Sequence, residues 1–304
     1  METYTRRDVL ASSAALAAGA VLPLETPVSA AVADAGFRSA WNNDLDRVWL
    51  GAEYWAGPLQ DWQVKGGRIE CIHAAPGRNV QVLTCEHSGQ GDGFSMQVKL
   101  GRVDGSPLGQ GKGSAGFRIG ILGTLAAYPE LRDYRNNLAF SSGLDAGITA
   151  QGGLFFGDVK KAEPSVIKLD DVSSLTLMLK GESMGTNTVL TLRAMLGDQV
   201  LGEVKSQLAT AKLAGNLALV ANFGAAQSGP AKKGKKVKEE NAGPGAGTFW
   251  FSDWEIRGPS VRRDDLHVFG PILFNHYTLS GGVMKMTAQM PPVGDKDSPI
   301  VKLE

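Results

Sequence analysis

No stretch of this 304-residue chain sustains an apolar repeat of 3.6 residues, and that absence constrains the fold more than any motif does. What recurs instead is the two-residue alternation of half-buried strands, cut at short intervals by glycine and proline. Phe94, Met96, Val98 and Leu100 share one face. Further strand signals lie at 68–73, 80–87, 117–122, 144–150, 154–156, 175–179, 189–195, 199–204 and 217–223. Gly197-Asp198 is a good hairpin turn between two of them. The 39 glycines and 14 prolines suit a protein with many turns. The chain therefore reads as all-β.

The segment 248–257, TFWFSDWEIR, is the most telling strand. In an extended chain Phe249 and Phe251 point one way, and Trp250, Trp254 and Ile256 the other. A strand apolar on both faces belongs in the middle of a sheet, so this one is expected to close a large sandwich. Its expected partner is the short apolar run Val48-Trp49-Leu50. Residues 53–62 and 125–137 read as loops, and 208–213 as one helical turn. Residues 229–247 are of low complexity, with five lysines among glycines and prolines, and read as a flexible surface loop. A linker is expected over 259–269. New strand signals follow at 270–277, 282–289 and 300–303. A hairpin plus one strand is marginal alone, so a second β domain is expected to start at 270, with the chain stopping inside it.

Charge is balanced, with 31 Lys+Arg against 31 Asp+Glu, and nothing favours nucleic acid as a partner. The N-terminus reads as a targeting segment over residues 1–33, followed by a polar lead-in over 34–46. Thr5-Arg6-Arg7-Asp8-Val9-Leu10 resembles the twin-arginine export motif, through Arg6 and Arg7. The soft apolar run behind it falls short of the ~20 residues that span a bilayer, so no stable membrane span is expected. Small residues near Ala30 and Ala33 offer cleavage sites. The resemblance implies the twin-arginine translocase as a partner and the periplasm or cell exterior as the destination.

Catalytic signatures are missing from the sequence. It has no G-x-S-x-G elbow, no H-E-x-x-H, and no strand carrying the paired carboxylates of a jelly-roll glucanase. No catalytic or metal-ligating residue is assigned. No cofactor is evident, and a structural calcium has no support. Cys71, His73, Cys85 and His87 share one face if a hairpin is centred on Arg78, with the cysteines opposed. Three readings of that arrangement stand side by side: a cross-strand disulfide between Cys71 and Cys85, two unpaired thiols, and a Cys2His2 metal site. Aromatics in turn-rich sequence are the candidate ligand contacts. Trp55 and Trp62 lie near the start, and Tyr128, Asp133, Tyr134, Arg135 and Asn137 lie in the long loop. Together they could pair a sugar platform with polar fingers; equally, they could plug the end of the sandwich.

Two families are similar to these residues. The strand GTFWFSDWEIRG, the glycine-rich turns and the run of alternating strands resemble a concanavalin-A-like (laminin-G-like) jelly roll over 47–258. Three segments are similar to exported alkaline phosphatase D-like proteins: WLGAEYWAGPLQDWQVKGGRIEC, DYRNNLAFSSGLDAGI and FGPILFNHYTLSGGVMKMTAQMPPVGDKDS. The resemblance implies a jelly-roll sandwich followed by the start of a second, truncated β domain of immunoglobulin or fibronectin kind. It also implies a parent metallophosphatase whose catalytic domain is missing here. The function expected is that of an exported, non-catalytic module, binding glycan or cell-surface polymer or bracing the phosphatase domain. The alternative is a stand-alone jelly-roll enzyme acting on polysaccharide.

Overall fold

The structure is a computed structural model that describes residues 36–41, 44–122, 143–162, 167–223, 248–295 and 297. The twin-arginine segment, the lysine-rich segment 229–247 and the last strand signal at 300–303 lie outside the described residues. In chain order the strands begin with β1 (Phe37–Arg38), β2 (Tyr54–Gly57), β3 (Trp62–Lys65), β4 (Arg68–Cys71), β5 (Arg78–His87) and β6 (Gly93–Arg102). Next come β7 (Ser114–Ile121), β8 (Leu144–Thr149), β9 (Leu154–Phe156), β10 (Ser174–Met184), β11 (Asn187–Leu196) and β12 (Gln199–Ala209). The chain continues through β13 (Gly215–Asn222), β14 (Phe249–Arg257), β15 (Val261–Arg263), β16 (Phe274–Ser280) and β17 (Val283–Gln289). Among the described residues the only helical pieces are short 3-10 turns, one of them at Thr210–Leu213 where the sequence suggests a single turn.

Two antiparallel sheets make a jelly-roll sandwich. The eight-stranded sheet runs β12-β11-β10-β6-β14-β4-β3, with β1 also pairing β14. The seven-stranded sheet runs β15-β5-β13-β7-β8-β9, with β2 also pairing β5. Their inner faces share one continuous apolar core. Leu177 and Leu179 of β10 and Leu190 and Leu192 of β11 are fully buried there, each contributing about 1.5–3 kcal/mol of burial. Opposite them, Phe117 and Ile119 of β7 and Leu217 and Leu219 of β13 obey the same two-residue rule.

Strand β14 is central, as its aromatic content suggests, but its faces differ from expectation. Its pairing with β6 slips between Ser252 and Glu255, so one extra residue is accommodated on β14. Asp253, with φ of 52°, is the one non-glycine residue at positive φ among the described residues. This bulge restarts the alternation, so Phe249, Phe251, Trp254 and Ile256 all enter the core. Trp250 stands alone on the outer face, half-buried. Gly101 of β6 makes room beneath it, since a Cβ there would lie 2.6 Å from the indole. The Arg68 guanidinium sits 4.9 Å from the ring centroid. The other edge of β14 is shared between β4, opposite Trp250 and Phe251, and β1, opposite Glu255 and Ile256.

Other expectations are also corrected. Residues 48–50 form no strand and do not pair with β14; the nearby contact is an isolated bridge between Arg47 and Val64. The aromatic stretch 53–62 is part loop, but Tyr54–Gly57 forms β2 on the edge of β5. The sandwich takes in β1 and β15, which lie outside the span 47–258. The hairpin β16–β17 forms a separate two-stranded sheet. No helix among the described residues is long and apolar enough to cross a membrane.

Candidate functional site

Outward-facing side chains of the seven-stranded sheet line up by register across five strands. Trp55 of β2 pairs with Gln81 of β5, and Gln81 with Ala218 of β13. Ala218 pairs with Arg118 of β7, and Arg118 with Asp145 of β8. Four strand steps of ~4.8 Å make this row about 19 Å long. Strand parity decides the membership. Val80 and Val82 must face the core, so Gln81 faces out; Phe117 and Ile119 do the same for Arg118.

The row is polar but well packed. Arg118 donates from Nε and Nη2 to the two carboxylate oxygens of Asp145, at 2.5 and 2.8 Å. Such a two-point pair fixes both groups and neutralises their charges locally. Gln81 is 2% exposed and Arg118 9%, while Trp55 is half-open. One indole edge contact, at 4.7 Å between centroids, is made with Phe269. Beside the row, Gly116 and Gly147 face each other across β7 and β8. A Cβ on Gly116 would stand 2.2 Å from the Ala146 carbonyl oxygen, and one on Gly147 2.4 Å from that of Ala115. The two strands therefore approach closely here, with the Phe155 ring 3.2 Å from where a Gly147 Cβ would stand.

Two asparagines at the same end of the sheet serve the turn before β5. The Gly77 N–H donates to Asn222 Oδ1, and Asn79 Nδ2 donates to the Gly77 carbonyl, both at 2.9 Å. Asn79 Oδ1 is buried with no hydrogen-bond partner. Asp61 pairs with Arg78 at 2.8 Å. Asp61 and Asp145 are thus both held in ion pairs, and Asp145 is the carboxylate in the row. Among the described residues no group of three or more His, Cys, Asp or Glu side chains could hold a metal ion.

A concavity of about 150 Å³ lies between Trp41, Arg47, Glu53, Tyr54 and Val64. Trp41 packs on Tyr54 at 5.2 Å. Burial pushes the Tyr54 phenol well above its ordinary pKa, with the Glu53 carboxylate adding to the effect. Arg47 is engaged by Asp297 and by the Trp49 carbonyl, and Glu53 by Arg263 at 3.3 Å. The two charged side chains of this cleft are each engaged by a group outside its lining.

The candidate residues named from sequence separate sharply. Trp55 joins the row. Trp62 does not: parity on β3 puts it with Val64 on the inner face, where it is fully buried and 6.2 Å from Phe251. It is a core residue, not a ligand contact. Tyr128, Asp133, Tyr134, Arg135 and Asn137 lie outside the described residues, as do Arg6 and Arg7. The hairpin centred on Arg78 does not form. Cys71 is on β4 of one sheet, Cys85 on β5 of the other, and both are free, buried thiols. The chain crosses between sheets at residues 72–77, which removes the geometric basis of both the opposed disulfide and the four-residue metal site. Burial pushes Cys71 up to about 12 and Cys85 to about 11. His87 accepts a hydrogen bond from the Gly89 N–H at 3.0 Å and packs edge-on against Phe94. Gln81, Arg118 and Asp145 carry no local signal beyond alternation, and only long-range register unites them.

No family model matches the sequence, and no curated protein does. Similar solved structures include arcelin-5, a lectin-like defense protein from Phaseolus vulgaris, at 6% identity and TM-score 0.41, covering 75% of this chain and 98% of that one. Lectin I from Ulex europaeus, in complex with the methyl glycoside of α-L-fucose, is 8% identical with TM-score 0.43, over 73% of this chain and 96% of that one. The endo-1,3-β-glucanase from Streptomyces sioyaensis is 8% identical with TM-score 0.38, over 70% and 83%. The likeness is one of chain architecture, and nothing about ligands follows from it.

Proposed function

We propose that this chain is an exported, non-catalytic β-sandwich module that binds a neutral glycan along the outer face of its seven-stranded sheet. The observation that carries this reading is the single register row Trp55–Gln81–Ala218–Arg118–Asp145. The half-buried Asp145 carboxylate offers acceptors to sugar hydroxyls at one end of the row. The half-open indole of Trp55 offers an apolar platform at the other. Because Arg118 and Asp145 cancel, the row favours uncharged rather than acidic sugars. Glycosidic cleavage uses two carboxyl groups about 5–9.5 Å apart, whereas the row has Asp145 alone, tied to Arg118. That supports binding over hydrolysis. The twin-arginine resemblance supports export through that translocase to the periplasm or cell exterior. The similarity to alkaline phosphatase D-like proteins supports a role as an accessory module of such a phosphoesterase.

A glycan array probed with the purified chain, followed by titration of the hits, tests the reading. Trp55→Ala should weaken binding at least tenfold in a chain that still folds. Absence of any retained glycan, or unchanged affinity in Trp55→Ala, would overturn it. Release of reducing ends from a bound polysaccharide would overturn the non-catalytic part.

A further inference from the structure

Two hydrogen-bond donors of the concavity of about 150 Å³ meet no acceptor. They are the Trp41 indole N–H and the Tyr54 hydroxyl, and both polar atoms are buried. Each residue lines the cavity, and their rings pack 5.2 Å apart. Tyr54 is 4% exposed. The Ala40 N–H lies beside the phenol oxygen, but an N–H can only donate, so it gives the phenol proton no acceptor. Leaving a buried donor unmet is costly, and such groups are uncommon in folded chains.

The acceptors of the same wall are in the opposite state. The backbone carbonyls of Arg47, Gly51, Ala52, Glu53 and Val64 each already accept a backbone N–H, at 2.7 to 3.2 Å. The Glu53 carboxylate accepts from the Arg263 guanidinium at 3.3 Å and from the Thr84 hydroxyl at 3.4 Å. Arg47 is held by Asp297 and by the Trp49 carbonyl. Each charge on the wall is therefore matched by an opposite one. Leu50, Tyr54 and Val64 are buried whereas Ala40 is exposed, so the cavity runs inward from the surface.

We propose that this cavity binds a small neutral carbonyl compound, a ketone, ester or amide about the size of a six-membered ring, whose oxygen accepts from Tyr54 and Trp41 together. Two spare donors match the two lone pairs of one carbonyl oxygen. Leu50 and Val64 take the apolar remainder. An apolar cavity of ~150 Å³ holds a ring the size of benzene. A carboxylate is disfavoured, because a wall whose charges already cancel leaves a partly dehydrated anion without a counter-charge. Water fits less well, since it must give away two protons of its own to acceptors that are already engaged. The proposal is independent of the glycan reading: Tyr54 and Trp55 are successive residues of β2 and point to opposite faces of its sheet.

The test titrates cyclohexanone into the isotope-labelled full chain and follows the indole N–H resonances of its six tryptophans by NMR. Trp41→Phe identifies the Trp41 resonance by its loss. The expected result is saturable binding that moves this resonance downfield. Methylenecyclohexane, the same ring without the oxygen, and cyclohexanecarboxylate should each bind about tenfold more weakly. Tyr54→Phe keeps the ring and removes the donor. It should weaken cyclohexanone binding about tenfold, at a melting temperature equal to or above the parent's. No saturable shift at Trp41, equal binding of the three probes, undiminished affinity in Tyr54→Phe, or a lower melting temperature in that variant would each overturn the proposal.

Discussion

The bulge at Asp253 makes a prediction of unusual asymmetry. Strand β14 has one residue more than strict alternation allows between Phe251 and Trp254, and the bulge absorbs it. Deleting Asp253 leaves Ser252 opposite Lys99 and Glu255 opposite Gln97, with Trp254 between them and still facing inward. It also removes an aspartate from a left-handed conformation that costs ~1–2 kcal/mol. The deletion should therefore be neutral to stabilising, with a melting temperature at or up to a few degrees above the parent's. Inserting one alanine after Asp253 should do the reverse. It turns Trp254 and Ile256, both fully buried, towards solvent. Truncating such side chains costs about 3–5 and 2–5 kcal/mol, so the insertion removes roughly 5–10 kcal/mol from a total near 5–15 kcal/mol. Differential scanning calorimetry or circular-dichroism melts on the two variants decide the matter. The same logic grades the tryptophans. Trp254→Ala should cost ~3–5 kcal/mol. Trp250→Ala, which loses partial burial and the Arg68 contact, should cost only about 1–2 kcal/mol. An insertion variant that melts with the parent, or a deletion variant that collapses, would refute the account of β14.

Two further outcomes are expected. Burial lowers His87 to about 4, whereas an unfolded histidine titrates near ~6.5. The stability this group contributes is full above ~6.5 and is lost as pH falls towards 4, by up to ~3 kcal/mol. His87→Gln, which keeps an acceptor for the Gly89 N–H, should flatten the fall of melting temperature between pH 7 and pH 4; equal slopes in both proteins would sink the idea. Cys71 and Cys85 should both resist a thiol reagent in the native protein and both react once it is unfolded without reductant. A fast-reacting native thiol, or none after unfolding, would contradict two buried free thiols.

The strands were legible because alternation is local. Residues 94–100 announce β6, 154–156 give β9 outright, and the hairpin at Gly197-Asp198 joins β11 to β12 as its turn chemistry requires. Errors arose where a distant segment decides the outcome. Nothing near Asp253 signals a bulge; it shows only in the register of β14 against β6. Cys71 and Cys85 looked like hairpin partners because the sequence between them holds a good turn, Pro76-Gly77-Arg78-Asn79. That turn instead begins β5 in the other sheet. Trp62 looked like an exposed turn aromatic until β3 paired with β4 and fixed its parity. The binding row is the extreme case, since its members come from five strands and sequence alone does not say that Gln81 and Arg118 flank the same alanine.

The way the sandwich closes has a mechanical consequence. The Arg263 Nη1 donates to the Gly36 carbonyl at 3.2 Å, so β15 and the residue ahead of β1 are tied by one side chain. Tension drawn on the chain ahead of β1 would fall first on that strand, joined to β14 at two residues. That seam would unzip one bond at a time, leaving the long central strands to bear load only after it had opened.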